Sequence, residues 1–190
     1  MDLILASASP RRLELLRAAG FHPIVAAADV DEAGLHGETP AAHVARLGRA
    51  KADAVRARYP AAAVLGADTV VAIDNEILGK PRDDDDARRM LGRLAGRTHR
   101  VYTGVALAVG ADIRAEVAIS EVTMASLSPA EIAWYIASGE SRDKAGAYAI
   151  QGLASRYVTS IQGSYSNVVG LPVAVVYRWL RDLPVIHSQH

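Results

Sequence analysis

The chain has 190 residues, of which 51% are hydrophobic and 22% charged, and its formal net charge is zero. This length suits one large domain or two small lobes, and the balanced charge excludes a global attraction to nucleic acid or membranes. The absence of cysteine excludes disulfides, thiolate metal sites and a cysteine nucleophile. No apolar stretch is long enough to cross a membrane and no basic leader precedes the first one, so we expect a cytoplasmic protein.

The first third of the chain predicts alternating strands and helices. Residues 3–6 form a short apolar run that is typical of a buried strand. Residues 10–19 predict a helix with proline at its first position and Ser9 at its cap. Residues 22–28 predict a second strand, and an acidic loop then leads to a long helix that begins at Thr39 or Glu38 and ends at about Tyr59.

The rest of the chain continues this alternation. The apolar segment after residue 60 predicts a strand that is interrupted at residues 66–68 and ends in a turn at Asp74–Asn75. The later elements are expected in this order: a helix from about residue 83, two or three strands around Gly110, a capped helix from Ser128, a glycine-rich loop at 144–152, a strand at 156–161, a loop, and a final helix at 171–183. This alternation indicates an α/β fold, for which we expect a mixed sheet with flanking helices and two lobes around a deep cleft.

Two adjacent arginines stand where the first helix begins, in the segment ASASPRR. The helix dipole disfavours positive charge at this end, because the first backbone N–H groups already carry partial positive charge. An anion bound by those N–H groups and by Arg11 and Arg12 would explain the placement. A capped helix with solvated arginines is the alternative, and the segment alone does not separate the two.

Other polar residues are expected where strands and helices end. Asp68 and Thr69 lie inside an apolar segment, and Lys80 lies between a turn and a helix start. Lys144 and Gln151 flank the glycines of DKAGAYAIQG. Ligands of α/β proteins bind at such ends, so these side chains are candidates for one site. Asp68 alone could accept hydrogen bonds in a turn, but a carboxylate between AVLG and VVAI would be buried unless it is paired or metal-bound.

Several other patterns do not indicate a site. The acidic run at residues 83–86 is better explained as a helix start favoured by the dipole, with salt bridges four residues apart: Asp84–Arg88 and Asp85–Arg89. The six histidines show no ligand spacing within a predicted helix, and two of them lie in the polar C-terminal tail. There is no phosphate-binding P-loop, no dinucleotide-binding glycine motif and no nucleophile elbow.

Five motifs occur in order between Leu3 and Pro172: ASASPRR, GADTVV, LGKP, DKAGAYAIQG and GSYSNVVGLP. Together they resemble the motifs of the Maf family of nucleoside triphosphate pyrophosphatases. Two positions depart from the family pattern. Ala149 replaces a usual glycine, which would stiffen its loop, and Gly48 replaces a common alanine, which would slightly weaken its helix. Neither departure removes a chemical group.

The resemblance implies a single domain over residues 1–190, similar in fold to the inosine-triphosphate pyrophosphatases, with two lobes around one cleft and assembly as a homodimer. It implies that a nucleoside triphosphate is cleaved between its α- and β-phosphorus atoms, which releases the monophosphate and pyrophosphate. It also implies a divalent metal cation, Mg²⁺ or Mn²⁺. A triphosphate carries about four negative charges, which local cations and a hard metal would neutralise.

The resemblance also assigns roles to residues. Asp68 would be the general base and a metal ligand, and Glu32 would be the additional metal ligand. Asp29 and Asp31 remain alternatives to Glu32, because all three lie in the segment DVDEAG. The remaining residues form two groups by role. Arg11, Thr69 and Gln151 would set base specificity, whereas Ser7, Arg12, Lys51 and Lys80 would hold the phosphates.

The amide of Gln151 points to a pyrimidine substrate. It offers a donor and an acceptor side by side, which complement the O4 acceptor and the N3–H donor of uracil or thymine. The AYAIQG version of this motif resembles the family branch that acts on dTTP and UTP, with modified pyrimidine nucleotides as further candidate substrates. An amide can also flip to suit cytosine, so neighbouring groups must hold it in one orientation.

Two other classes of function are compatible with parts of this sequence. A non-catalytic nucleotide-binding regulator of cell division and septum formation is the alternative, since family members are linked to septum formation. For that role, a general base, metal ligands and four cations would be unnecessary. A nucleic-acid-binding module built on Arg11 and Arg12 is disfavoured by the zero net charge and the few aromatic residues. We therefore expect a nucleoside triphosphate as partner, with no nucleic-acid or membrane partner.

Overall fold

The computed structural model describes residues 1–184, so His187 and His190 of the polar tail lie outside the described residues. The chain divides into two compact units. Unit 1 contains Met1–Asp68, Thr103–Ala118 and the chain from Gly170 onward, and unit 2 contains Thr69–Tyr102 and Ile119–Val169. None of the described residues forms a helix that is long and apolar enough to cross a membrane.

The described residues form a mixed sheet with flanking helices. The strands are β1 (Leu3–Leu5), β2 (Ile24–Val25), β3 (Ala63–Ile73), β4 (Glu76–Leu78), β5 (Thr98–Val109), β6 (Asp112–Met124) and β7 (Val158–Gln162). The α-helices are α1 (Pro10–Ala18), α2 (Pro40–Arg56), α3 (Asp84–Leu94), α4 (Pro129–Ala137), α5 (Tyr165–Val169) and α6 (Val173–Leu180), and short 3₁₀ helices cover Ala145–Ala147 and Leu153–Tyr157.

The seven strands follow the order β2-β1-β3-β5-β6-β7, with β4 paired to β3. Strand β1 is parallel to β2 and β3, whereas the pairs β3–β4 and β6–β7 are antiparallel. The predicted α/β class with a mixed sheet is therefore confirmed.

In unit 1, helices pack on both faces of the strands. Successive side chains of a strand point to opposite faces of the sheet. Leu5 and Leu65 accordingly pack in one buried cluster with residues of α1 and α6. Ile4 and Val64, their neighbours in the chain, pack in a second cluster with residues of α2. Helix α2 therefore covers one face of the β1–β3 pair, and α1 and α6 cover the other.

Glycines bring α2 into direct contact with the backbone of the sheet. A β-carbon built at Gly104 would lie 2.1 Å from the carbonyl oxygen of Val44, and one at Gly66 would lie 2.3 Å from that of Gly48. No side chain fits in such a gap, so α2 packs on the backbones of β3 and β5. A β-carbon at Gly48 would lie 2.7 Å from the carbonyl oxygen of Gly104. Gly48 thus serves close packing, at some cost in helix propensity.

Unit 2 has its own core beneath α3 and α4, which includes Met90, Leu91 and Ile136. The predicted turn at Asp74 and Asn75 is confirmed, since these residues connect β3 to β4 and have φ angles of 51° and 63°. Positive φ at both central residues is typical of a two-residue hairpin turn.

The segment GSYSN forms the start of α5 and joins it to two strands of unit 2. The side-chain amide of Asn167 is fully buried and donates to the carbonyl oxygen of Val101 at 3.2 Å and to Oγ of Ser120 at 3.0 Å. Ser120 Oγ in turn donates to the carbonyl oxygen of Ser164 and accepts from its backbone N–H. This motif of the sequence therefore has a structural role in unit 2.

The predicted interruption of the strand at residues 66–68 is wrong, because β3 runs without a break from Ala63 to Ile73. Gly66 does not begin a turn, since its missing side chain is instead what admits α2. Asp68 and Thr69 therefore lie in the middle of a strand and not at its end. A buried carboxylate is tolerated there because a cation of α2 pairs with it.

The acidic run begins α3, as predicted, but the expected salt bridges Asp84–Arg88 and Asp85–Arg89 are wrong. Arg88 contacts Asp85 at 2.5 Å and Arg89 contacts Asp86 at 2.9 Å, so the pairs are three residues apart. Both spacings place side chains on one helix face. Asp86 is buried, whereas the other three residues of the run are exposed. A buried carboxylate needs a charged partner, and Arg89 lies close enough to pair with it.

Three further local predictions differ from the structure. The hydroxyl of Ser9 makes no capping hydrogen bond, although Ser9 does precede α1. Only Ile24–Val25 of the predicted strand at 22–28 pairs with the sheet. Part of the predicted loop before the last helix forms α5, because the hydrogen bonds of Asn167 stabilise this short helix in a way that its composition does not reveal.

We predict that Gly104→Ala destabilises the protein, because the new methyl group would collide with a backbone carbonyl of α2 that cannot move aside freely. Overpacking of this kind costs about 1–3 kcal/mol. Gly92→Ala is the matched control, since nothing lies within 4 Å of a β-carbon at this position in α3. The free energy of unfolding of this control should rise by up to about 1 kcal/mol, because alanine favours a helix more than glycine does. Urea unfolding measures both changes, and a Gly104→Ala variant as stable as the wild type would contradict the packing.

His99 of β5 is a buried titratable group. Its Nε2 lies 2.8 Å from the hydroxyl oxygen of Tyr148, and burial lowers the pKa of His99 from 6.5 to about 4. In the unfolded chain this pKa returns to about 6.5. Between pH 6.5 and 4 the unfolded state therefore binds a proton that the folded state does not bind, and the free energy of unfolding falls as the pH falls.

We predict that His99→Gln weakens this pH dependence. In the wild type, His99 should contribute a loss of up to about 1.4 kcal/mol per pH unit inside this window. Urea unfolding at pH 7 and pH 5 measures the difference for both proteins. If the variant loses as much stability as the wild type between the two pH values, another group is responsible.

Candidate active site

Asp68 lies in the middle of β3, on the face that packs against α2. The two-residue period of a strand places Val64, Gly66 and Asp68 on the same face. Because Gly66 lets α2 approach the strand backbone, a long side chain from α2 can reach the next position on that face. Lys51 does so, and its Nζ lies 2.8 Å from Oδ1 of Asp68.

Lys51 holds two carboxylates at once, since its Nζ also lies 2.5 Å from Oε1 of Glu32. Lys51 and Asp68 each expose only 7% of their surface, whereas the side chain of Glu32 is 55% exposed. Desolvation of a buried charge costs several kcal/mol unless partners compensate it. The pair of Lys51 and Asp68 therefore has to form for α2 to pack here, and Glu32 extends the cluster toward solvent.

Hydrogen bonds of Glu38 connect helix α2 to the loop that contains Glu32. Its two carboxylate oxygens accept hydrogen bonds from Arg46, at 2.7 Å from Nε and 2.8 Å from a terminal nitrogen. Nδ1 of His43 lies 2.9 Å from Oε2 of Glu38. Arg46 also donates to the carbonyl oxygen of Ala33 at 3.0 Å. Hydrogen bonds from Arg46 hold the pKa of Glu38 well below its usual range. Ala33, the residue after Glu32, is thereby tied to α2.

Arg12 is buried at the start of α1. Its Nε donates to the carbonyl oxygen of Gly170 at 2.8 Å, and a terminal nitrogen donates to Oγ of Ser7 at 3.0 Å. Burial lowers the pKa of Arg12, and the negative charge of Asp68 acts in the opposite direction. A guanidinium stays protonated under all ordinary conditions. Arg12 is therefore a fixed buried cation within electrostatic reach of Asp68.

Lys80 and Gln151 lie in unit 2, on two loops that are hydrogen-bonded to each other. The backbone N–H of Gly146 donates to the carbonyl oxygen of Gly79 at 3.1 Å. Both side chains are exposed. Thr69 also belongs to unit 2 and follows Asp68 in β3, so its side chain points to the opposite face of the strand.

The structure brings five of the nine predicted site residues together within unit 1: Ser7, Arg12, Glu32, Lys51 and Asp68. Arg11, also in unit 1, is half-buried, and burial lowers its pKa. Of the acidic alternatives to Glu32, Asp31 accepts a hydrogen bond from the backbone of Ala33 in a local turn. Lys51 pairs with Glu32.

Glu38 and Arg46 were not predicted from the sequence. Their side chains meet across eight positions that span a loop end and two helical turns. No helix or strand period predicts such a pair. The only sequence signal was the position of Glu38 at the predicted start of the long helix, where an acidic residue is common for reasons that involve no site.

The carboxylates of Asp68 and Glu32 suit a divalent metal ion. Among the residues that the structure describes, no group of three or more His, Asp or Glu side chains is arranged to hold a metal by itself. Mg²⁺, however, is commonly bound through one or two carboxylates, with waters and substrate phosphates as the other ligands. Two carboxylates that share one ammonium group provide this donor set.

Comparison with known proteins places the chain in a family. The model of the Maf-like protein family matches residues 2–183. A dTTP/UTP pyrophosphatase of Symbiobacterium thermophilum is 54% identical over 90% of this chain and 89% of its own length. Another from Koribacter versatilis is 52% identical over 98% of this chain and 96% of its own.

Two further matches extend this comparison. A dTTP/UTP pyrophosphatase of Myxococcus xanthus is 55% identical over 90% of this chain and 87% of its own length. Among solved structures, the Ham1 protein of Staphylococcus aureus overlaps with a TM-score of 0.48 and 13% sequence identity, over 66% of this chain and 72% of that chain. The family model and the three relatives show that this chain belongs to the Maf family.

Proposed function

We propose that the protein is a nucleoside triphosphate pyrophosphatase that hydrolyses dTTP and UTP to the monophosphate and pyrophosphate. The observation that carries this proposal is the cluster in which Lys51 bridges Asp68 and Glu32 close to the buried Arg12. Buried charges of both signs in one place, with an exposed carboxylate at the edge, suit the hydrolysis of a highly charged anion. The names of the three relatives agree with this substrate class.

The cations of unit 1 would bind the phosphates. Arg12 is fixed by its bonds to Gly170 and Ser7, so little side-chain freedom remains to be lost when an anion binds. The helix start at Pro10 adds backbone N–H groups that favour the same anion. Lys80, which is exposed, would add a point charge on a flexible side chain.

Asp68 would act as the general base. Its carboxylate is fixed on a strand and held by Lys51, so it can orient and deprotonate a water that attacks the phosphorus atom. Lys51 keeps the carboxylate in place and balances its charge. A divalent cation such as Mg²⁺ or Mn²⁺, held by Asp68 and Glu32, would supply positive charge to the phosphates and to the attacking water.

Gln151 would read the base, with Arg11 and Thr69 as further contributors to specificity. An exposed amide on a loop is accessible to a ligand and can pair with O4 and N3–H of uracil or thymine. We further propose that the whole chain acts as one domain in two lobes, as a cytoplasmic homodimer without a nucleic-acid or membrane partner.

A screen of nucleoside triphosphates with Mg²⁺, in which released pyrophosphate is measured, tests the proposed function. We expect turnover of dTTP and UTP well above that of purine nucleotides and CTP. Binding of nucleotides without release of pyrophosphate would instead support a non-catalytic regulator. Inorganic phosphate as the only product would contradict cleavage between the α- and β-phosphorus atoms.

We predict that Asp68→Asn lowers the turnover of dTTP by at least about 10²-fold, because the amide cannot accept the proton of the attacking water. Binding of dTTP, measured by calorimetry, should persist, since the cations remain. The melting temperature should fall, because Lys51 stays buried and loses its charged partner in β3, although Glu32 still pairs with it. Asp112→Asn removes the same charge from an exposed position of unit 1 and should leave turnover unchanged. Turnover by Asp68→Asn near the wild-type rate would exclude Asp68 as the base.

We predict that Gln151→Glu selectively reduces kcat/KM for dTTP and UTP. Its carboxylate cannot donate to O4, so an acceptor would face an acceptor at a cost of about 1–3 kcal/mol. Gln162→Glu adds the same charge at an exposed position of β7 in unit 2 and serves as the control. The measurement is kcat/KM for dTTP, UTP and CTP with each variant. Equal relative values across the three nucleotides would show that Gln151 does not read the base.

A further inference from the structure

Glu140 holds the loop that carries Gln151. Its Oε2 accepts a hydrogen bond from the backbone N–H of Leu153 at 2.8 Å, and its Oε1 accepts one from that of Ala154 at 3.3 Å. The hydroxyl of Tyr135 donates to Oε1 at 2.8 Å. One carboxylate thus receives three hydrogen bonds, two of them from the backbone two and three residues after Gln151.

Tyr135 connects the same carboxylate to the other side of the loop. Its hydroxyl oxygen accepts a hydrogen bond from the backbone N–H of Ala149 at 3.2 Å while it donates to Glu140. The ring of Tyr135 is fully buried in the core of unit 2. Burial, and then the hydrogen bond to Glu140, raise the pKa of this hydroxyl, so it stays protonated as the donor. The loop is therefore held on both sides of Gln151, at residue 149 and at residues 153 and 154.

Gly152 shows how closely the carboxylate approaches the loop. A β-carbon built at Gly152 would lie 2.1 Å from Oε2 of Glu140. The backbone of Gly152 has φ of −116°, which other residues can also adopt, so the need for glycine here is one of space. The residue next to Gln151 thus makes room for Glu140.

These contacts matter because the amide of Gln151 distinguishes bases only if it is held in one place. A glutamine on a mobile loop can approach a base from several positions and present either its oxygen or its nitrogen, and then it accepts cytosine as well as uracil. The side chain of Gln151 is exposed, so the anchored backbone of its loop has to fix the position from which the amide meets the base.

We propose that Glu140 and Tyr135 are positioning residues for base selectivity, which hold the loop of Gln151 so that uracil and thymine are accepted and cytosine is rejected. This inference rests on the proposed function, because it assigns a cause to the discrimination among nucleotides. Neither residue touches the substrate. Both act through the backbone on either side of Gln151.

The test compares kcat/KM for UTP and CTP in the wild type and in Glu140→Gln. The variant keeps the shape of the side chain but turns one oxygen into an amino group, which would face a backbone N–H or the Tyr135 hydroxyl. We expect the UTP-to-CTP ratio of kcat/KM to fall at least about tenfold, which is the size of effect expected when one hydrogen bond to the loop is lost. Gly152→Ala displaces the carboxylate without changing Glu140 and should lower the ratio in the same direction.

Glu131→Gln is the matched control. Glu131 lies in α4 of the same unit and accepts hydrogen bonds from the backbone N–H and the hydroxyl of Ser128, in a capping box. Loss of the Glu131 carboxylate should lower the free energy of unfolding, because this carboxylate accepts a hydrogen bond from a backbone N–H group. The UTP-to-CTP ratio should stay unchanged. A purely structural role of Glu140 would give this same pattern, so the ratio separates the two roles.

Hydrogen exchange of the Leu153 amide gives a second readout that does not depend on activity. We expect faster exchange in Glu140→Gln and in Tyr135→Phe than in the wild type. If the exchange rate and the UTP-to-CTP ratio both stay at their wild-type values, the inference is wrong while the proposed function stands. If the wild type itself does not prefer UTP to CTP, the proposed function and this inference fail together. Should Glu140→Gln not fold, Tyr135→Phe replaces it in the kinetic comparison.

Discussion

The burial of Asp68 against Lys51 is the interaction on which the rest of unit 1 depends. A carboxylate at 7% exposure in the middle of an apolar strand is tolerated only with a partner at hydrogen-bond distance. That partner comes from α2 and reaches Asp68 only because α2 lies directly on the backbone of the sheet. The glycines at positions 48, 66 and 104 permit this approach, since a β-carbon at any of them would meet a backbone carbonyl oxygen within 2.7 Å. In this unit, the close packing of α2 on the sheet is therefore also what places Lys51 beside Asp68.

The sequence predicted the secondary structure well where local rules decide it. The cap at Ser128 and the turn at Asp74–Asn75 agree with the structure, because each depends on residues a few positions apart. The strand at Asp68 was wrongly divided for the opposite reason. Glycine and aspartate favour turns locally, and only the approach of α2, which lies far away in the chain, keeps them in a strand.

In the candidate site, too, some residues could be predicted from the sequence, whereas others depend on contacts between distant positions. The predicted site residues were assigned from the family resemblance, and the structure brings five of them together in unit 1. Glu38, Arg46 and Glu140 were not found. Arg46 lies eight positions from Glu38, and the backbone partners of Glu140 lie thirteen and fourteen positions away across a loop, where no period relates one residue to the other. In the sequence alone, they cannot be told apart from solvated acids and bases on a surface.

Glu38 in unit 1 and Glu140 in unit 2 have the same role, since each carboxylate holds a loop in place. A loop has backbone N–H groups that no helix or strand satisfies, and a carboxylate can accept several of these donors at once. Glu38 accepts from the backbone of Leu35 and from Arg46, and Glu140 accepts from two backbone N–H groups and Tyr135. The residues proposed for the chemical step, Asp68 and Lys51, need no such support, because a strand and a helix already place them. Glu32 and Gln151 lie on loops, so the precision of their positions has to come from anchors that take no part in the reaction.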